Sequence, residues 1–218
     1  MYDFPDPIQA GEDGLLAYGG NLDPGTLLHA YSKGIFPWYD DSTPILWWSP
    51  DPRMVLYLDE FKISKSLKQT VQAGRYTCRT DTAFDAVIQQ CARVKRKGQK
   101  GTWITPDMIE AFTTLHRLGF AHSIETYEEG TLAGGLYGVS LGGVFFGESM
   151  FFTRPDASKF ALYHLVQQLK DWDFDLIDAQ VPTDHLRSFG AKAIPRKKFL
   201  EHLHKSLQRP TRKGIWTF

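Results

Sequence analysis

The hydrophobic positions of this chain change period along its length. Phe84, Val87, Ile88 and Cys91 recur at helical spacing and predict a helix over Thr82–Val94. Thr105-Pro106 reads as the cap and first turn of another, in which Met108, Ile109, Phe112 and Leu115 form one face and Gly119 ends the element. The period then shortens to two. His122–Tyr127, Leu132–Ser140 and Gly143–Met150 read as strands, and the short glycine-bearing turns "EEGT" and "SLGG" join them into an antiparallel meander. A helix opening at Asp156 or Ser158 runs to Leu169, followed by a strand over Leu176–Val181 and a short helix over Thr183–Phe189. A strand at Ala191–Ile194 and a helix at Lys197–Leu207 complete the pattern, and Ile63–Ala73 reads as a basic amphipathic helix before it.

The first sixty residues follow neither period. They are rich in Gly, Pro and aromatic residues, as in "GLLAYGGNLDPGTLLHAYSKGIFPWYDDSTPILWWSPDPR". One short helix is expected there, from Pro24 to Tyr31, with Asp23 as cap and Gly34 as stop. The division expected is a small irregular N-terminal lobe over residues 1–60 and an α+β domain over 61–218. The sheet of that domain is mixed and largely antiparallel, with helices flanking it.

Composition narrows the class. With 42% hydrophobic and 23% charged residues, the 218-residue chain can bury a core of ordinary size. The formal net charge is zero, so a nucleic-acid site has to be a local patch. Two cysteines make no disulfide framework, and no Cys/His spacing suggests zinc, so neither a metal nor another cofactor is expected. "MYDFPDPIQAGEDG" lacks a basic segment followed by an apolar one, and no apolar run reaches membrane-spanning length. A cytoplasmic protein without membrane contact is the expectation.

Four features can carry chemistry. Glu148 is a lone acid in "VFFGESMFF", where burial without a partner would cost several kcal/mol. Alternation places it on one face with Phe146, and places Phe145, Gly147 and Ser149 on the other. Gly147 marks a bulge or a close backbone approach. An edge-strand acid turned to water is the plainer reading. Asp178 and Gln180, two apart in "LIDAQV", share one strand face while Ile177, Ala179 and Val181 pack on the other. A polar sheet face, or a cap for the following helix, would explain them equally well. Trp38 in "GIFPWYD" and Trp103 in "GTWITPD" sit in loops, where an indole can stack on a nucleobase or anchor a core. Lys62, Lys65 and Lys68 are spaced to share a helix face, and "ARVKRKGQK" adds Arg93, Lys95, Arg96, Lys97 and Lys100. Such runs are solvated surface or phosphate contacts. On these residues alone, an acyl-CoA-dependent acyltransferase, a protein that binds tRNA ends without catalysis and a tRNA-dependent transferase all stay open.

The stretches "GLLAYGGNLDPGTLLHAYSKGIFPW", "PILWWSPDPR", "KGTWIT", "HSIE", "GGLYGV", "FGESMF", "ASK" and "LIDAQV" stand between Gly14 and Val181, within a match that runs from about Phe4 to about Leu203. Together they closely resemble the bacterial leucyl/phenylalanyl-tRNA–protein transferase family. The resemblance implies a small N-terminal lobe joined to a GNAT-like acyltransferase core. It implies transfer of Leu or Phe, and Met less well, from aminoacyl-tRNA to an N-terminal Arg or Lys, without ATP. The product would carry a degradation signal under the N-end rule. Partners would be the 3′ end and acceptor stem of aminoacyl-tRNA and the acceptor protein, and the enzyme would act as a monomer. Where GNAT enzymes place a glycine-rich pyrophosphate turn, this chain reads "FTRPDASKFAL", with no glycine, which argues against acyl-CoA.

Carried over by resemblance, Trp38 and Trp103 would hold the terminal adenine. Leu136, where methionine is commoner, and Phe145 would line the amino-acid pocket. Gly147 and Ser149, beside them on the strand, are further candidate substrate-binding positions. Asp178 and Gln180 would be the catalytic pair, with Glu148 as the acid that meets the cationic acceptor. Lys62, Lys65 and Lys68 would meet the acceptor stem, although Gln69 and Gln72 stand where some members are basic.

Overall fold

The computed structural model describes residues 2–94 and 102–218. A short strand, β1 (Leu15–Tyr18), leads to α1 (Pro24–Ser32), then β2 (Phe36–Pro37) and β3 (Leu46–Trp48). These strands form a small antiparallel sheet in the order β1-β3-β2. The N-terminal lobe thus holds more regular structure than its Gly/Pro-rich composition suggests, in strands too short to show a period. Pro24 opens α1 as expected, but the Asp23 side chain makes no cap bond. Asn21 braces the turn before the helix, its Oδ1 accepting from the Asp23 N–H and the Thr26 hydroxyl. Gly34 ends the segment at φ +73°, and a Cβ there would meet Leu200 at 2.7 Å and Phe199 at 2.9 Å.

The remaining elements are β4 (Arg53–Tyr57), α2 (Lys65–Gln72), β5 (Thr77–Thr80), α3 (Phe84–Arg93), α4 (Pro106–Arg117), β6 (Ala121–Glu128), β7 (Thr131–Leu141), β8 (Val144–Phe152), α5 (Ala157–Asp171), β9 (Leu176–Gln180), α6 (Asp184–Ser188), β10 (Lys192–Ile194) and α7 (Arg196–Ser206). Seven strands form one sheet in the order β10-β4-β9-β8-β7-β6-β5. Every neighbouring pair is antiparallel except β8 and β9, which the crossover helix α5 makes parallel. This is the mixed, largely antiparallel α+β architecture that the alternating pattern predicts. β4 belongs to this sheet, so a division at residue 60 would leave one of its strands with the N-terminal lobe.

The sheet separates two buried clusters, in keeping with strand alternation. On one side Val55 and Phe146 pack with Tyr31, Phe36 and Phe199. On the other, Met54, Phe145 and Ile177 pack with the inner face of α5. β8 lies between β9 and β7, so the acid in its apolar run is not on a sheet edge.

One expected element starts late. Ser64 caps α2, its hydroxyl accepting from the Leu67 N–H, so the helix begins at Lys65. Lys62 lies before it, with its N–H bonded to the Phe189 carbonyl. Lys65 and Lys68 share a turn of helix, but Lys62 is not on that face. All three are exposed. Lys95, Arg96, Lys97 and Lys100 lie outside the described residues.

Candidate active site

The pairing of β8 with β9 covers three residue pairs and ends at Phe146–Asp178. Past that point the two strands carry their side chains into a cavity of about 510 Å³. Trp38, Trp103, Leu136, Phe145, Gly147, Glu148, Ser149 and Gln180 all line it. Eight candidates spread over more than 140 residues of sequence therefore meet in one place. Ile177 and Ala179 of β9, and Leu162 and Leu165 of α5, make much of the remaining wall apolar.

Glu148 owes its position to an irregularity in the ladder. Tyr137 pairs with Ser149 and Gly138 pairs with Gly147, so Glu148 is the extra residue of a bulge. Gly147 was the sequence signal for it. The bulge turns the carboxylate toward α1 and β9. Oε1 accepts from the Tyr31 hydroxyl at 2.7 Å and from the Gln180 side-chain amide at 2.9 Å. Oε2 is buried without a hydrogen-bond partner among the described residues. Burial pushes the Glu148 carboxyl up to about 8, and nearby Asp178 adds to the rise, while the Tyr31 and Gln180 hydrogen bonds and the Arg53 charge oppose it. The Tyr31 hydroxyl is held well above its ordinary range by burial, and then by the neighbouring acid.

Gln180 is fixed twice. Its amide nitrogen donates to Glu148, which leaves the amide oxygen as its acceptor. Its backbone sits in the left-handed region at φ 62°, and its N–H donates to Asp178 Oδ1 at 3.0 Å. β9 is irregular here too, since Val55 pairs with Asp178 while Met54 pairs with Gln180.

Asp178 is fully buried and does not line the cavity. Its two oxygens accept from Arg53 Nε at 2.8 Å and Nη2 at 2.6 Å. Sequence reasoning missed Arg53, whose guanidinium also donates to the Gly34 carbonyl and lies between the rings of Phe36 and Phe199. It missed Tyr31 as well, which reads as one more apolar position of a helix. A signal for Arg53 existed. "RMVLY" sets a lone cation at the head of an apolar strand, the counterpart of the lone acid in β8. His185 of α6 also borders the cavity, and burial together with the charge of Lys159 lowers its imidazole below the usual range. Lys62, Lys65 and Lys68 do not line the cavity. Among the described residues no three His, Cys, Asp or Glu side chains cluster as a metal site, and no helix is long and apolar enough to cross a membrane.

The arrangement offers a largely apolar cleft, indoles able to stack on a planar group, and a fixed amide beside a carboxyl whose titration burial raises to about 8. Those are the parts needed to hold an acyl group and an amine together.

Residues 20–51 match the family model described as the leucyl/phenylalanyl-tRNA protein transferase N-terminal domain, and residues 55–204 match the model for leucyl/phenylalanyl-tRNA protein transferase itself. A protein of that name from an Anaeromyxobacter strain is 59% identical over 213 residues, which is 98% of this chain and 91% of the relative. Another from Maridesulfovibrio salexigens is 55% identical, covering 99% of this chain and 90% of its own length. Among solved structures, an aminoglycoside acetyltransferase from a soil metagenomic sample overlaps 54% of this chain and 86% of its own at a TM-score of 0.41 and 14% identity. L-PGS from Bacillus licheniformis overlaps 73% of this chain and 57% of its own at a TM-score of 0.38 and 17% identity. With family models matched over most of its length and relatives more than half identical across nearly all of it, this chain belongs to the leucyl/phenylalanyl-tRNA protein transferase family.

Proposed function

We propose that the protein transfers a leucyl or phenylalanyl group, and a methionyl group less readily, from aminoacyl-tRNA to the N-terminal Arg or Lys of an acceptor protein, without ATP. The product would be marked for degradation by the N-end rule. The observation that carries this reading, beside the family, is the meeting of Trp38, Trp103, Glu148 and Gln180 around one largely apolar cavity.

The donor ester is already activated, so catalysis reduces to alignment, proton removal and stabilisation of the oxyanion. Trp38 and Trp103 stack on the terminal adenine. Leu136 and Phe145 receive the donor side chain, and Gly147 and Ser149 lie along the acyl group. The acceptor α-amine attacks the ester carbonyl. A C–N bond forms, the C–O bond to the ribose breaks, and the ribose oxygen leaves with the proton that the nitrogen loses on forming the amide. Gln180 positions the amine through its amide oxygen, since its amide nitrogen is held by Glu148. Before the attack, the acceptor α-ammonium gives one proton to Glu148 and becomes the neutral amine. The Glu148 carboxyl titrates at about 8, close to the roughly 7.7–8.0 of a free α-amine, so the transfer costs little. A cation beside Oε2 also favours the charged carboxylate, which suits a basic N-terminal residue. Asp178 is a positioning residue, because its carboxylate is taken up by Arg53 and by the Gln180 backbone. A relay from Asp178 into the Gln180 amide has no hydrogen bond to run through.

Lys65 and Lys68 of α2, with Lys62 before it, meet the tRNA acceptor stem as exposed cations. A monomer working in the cytoplasm fits this scheme, and no step of it draws on a cofactor.

The test uses Phe-tRNA labelled on the amino acid, with a peptide beginning in Arg and an otherwise identical one beginning in Ala. Label on the Arg peptide alone, without ATP or CoA, is the expected result. Label on neither peptide while the tRNA still binds would overturn the reading in favour of a tRNA-end-binding protein.

A further inference from the structure

Trp216 lies outside the residues matched by either family model and is absent from the cavity wall, yet it is 2% exposed. Its backbone is tied at both polar atoms. The N–H donates to Asp81 Oδ2 at 2.7 Å, and the carbonyl accepts from the Thr80 hydroxyl at 2.9 Å. Its indole N–H donates to the Arg212 carbonyl. The ring is stacked on the His122 imidazole, with centroids 3.7 Å apart and planes 7° apart. These contacts, with Trp172 edge-on at 4.9 Å, fix the indole firmly, and on another side it meets Phe145 at 5.9 Å and 40°.

Phe145 is the residue of this group that reaches the cavity. Its ring lies over Gly138, where a Cβ would come within 2.6 Å of it. Gly138 thus admits the ring on one side, and Trp216 occupies space beside it within the same buried cluster. In a close-packed interior a ring so confined has no room to withdraw.

We propose that Trp216 is a positioning residue for donor selection. By backing Phe145 it sets the depth of the apolar end of the cavity, and so the balance between Leu and Phe as donors. This inference rests on the reading that the cavity takes the donor side chain. A smaller residue at 216 lets Phe145 retreat, and the pocket gains room for the larger side chain.

The experiment measures kcat and KM separately for Leu-tRNA and Phe-tRNA with the Arg peptide, in the wild type, Trp216→Leu and Trp216→Phe, together with thermal unfolding of each. The Phe-to-Leu ratio of kcat/KM is expected to rise in Trp216→Leu by about threefold or more, since a methylene's worth of pocket is worth about tenfold at least when the wall is touched directly. Trp216→Phe should restore most of the ratio. An unchanged ratio in a folded Trp216→Leu protein, with both donors slowed equally or not at all, would overturn the inference, since a merely stabilising residue lowers both alike. Should Trp216→Leu fail to fold, Thr80→Val, which removes one tie on the same segment, carries the test with the same expected direction, and no shift in its ratio overturns the proposal. A wild type that transfers neither donor would instead bring down the reading of the cavity itself.

Discussion

Arg53 and Asp178 form a two-bond ion pair across adjacent strands of the large sheet, both side chains wholly removed from solvent. Val55, two residues from Arg53, is the register partner of Asp178, so both charged side chains project from one sheet face. That face is the apolar one bounded by Phe36 and Phe199. A pair buried so deeply is held by mutual compensation, because either charge alone would face the full cost of desolvation.

The first prediction concerns that compensation. Arg53→Met should cost about 3–5 kcal/mol of unfolding free energy, and Asp178→Asn a comparable amount, since each leaves the partner charge buried and unpaired. The double variant should lose clearly less than the two losses added, because the orphaned charge is gone. Urea unfolding of the four proteins measures this. Strict additivity would mean the two residues act independently, and would remove the argument that Arg53 holds Asp178 for the site.

The second prediction separates backbone from side chain at Gln180. Its φ of 62° is a conformation that costs a non-glycine residue about 1–2 kcal/mol. Gln180→Gly should therefore be more stable than Gln180→Ala by about 1 kcal/mol, while both lose transfer activity. The strain is kept because the amide it delivers to Glu148 is part of the site. Retained activity in Gln180→Gly would show that the amide is dispensable. Equal stability of the two variants would show that the backbone strain is released elsewhere.

The sequence exposed these features unequally, for physical reasons. Period-two alternation found β6 to β9, because strand geometry is local, but the extra residue of β9 between Asp178 and Gln180 breaks the alternation there, so Gln180 lines the cavity and Asp178 does not. The lone acid at Glu148 stood out because nothing within "VFFGESMFF" could satisfy it, and its partner Tyr31 lies 117 residues away. A hydroxyl in a helical stretch gives no sign of the acid it will meet. Arg53 was obscured by the Pro-rich turns before it, which made "PDPR" look like part of an irregular lobe. The strands of that lobe have four, two and three residues, too few for alternation to register. Lys62 was assigned to a helix face by spacing alone, and the Ser64 cap started the helix after it.

The third prediction concerns the indoles. Loss of the Trp38 ring should weaken aminoacyl-tRNA binding by about 1–3 kcal/mol, a rise in KM of about 5- to 160-fold, since this is the range for one base stacked on an aromatic side chain. The chemistry lies at Glu148 and Gln180, so kcat should change much less. Trp38→Phe should recover part of the loss. The bond from the Trp48 indole to the Trp38 carbonyl is a backbone contact and survives the change. Steady-state kinetics with varied Phe-tRNA at saturating peptide distinguishes the outcomes. A fall confined to kcat would place Trp38 in the chemical step and remove it from adenine binding.

The fourth prediction ties the site to pH. Folding raises the Glu148 carboxyl from 4.5 to about 8, chiefly through burial. Between those values the folded state holds a proton that the unfolded chain has released. Stability from this group is thus complete at low pH and is lost as pH rises toward 8, with a slope of up to about 1.4 kcal/mol per pH unit. Glu148→Gln keeps an oxygen to accept from Tyr31 and Gln180 but carries no charge at any pH. The variant should therefore match the wild type near pH 5 and exceed it in stability at pH 8, as read from urea midpoints across the range. Its transfer rate should fall by about a hundredfold or more, the usual worth of a positioned proton acceptor. If wild type and variant lose stability in parallel across this range, the carboxyl is ionised throughout, and Glu148 then serves the reaction as a fixed negative charge for the basic acceptor and takes no proton from its amine.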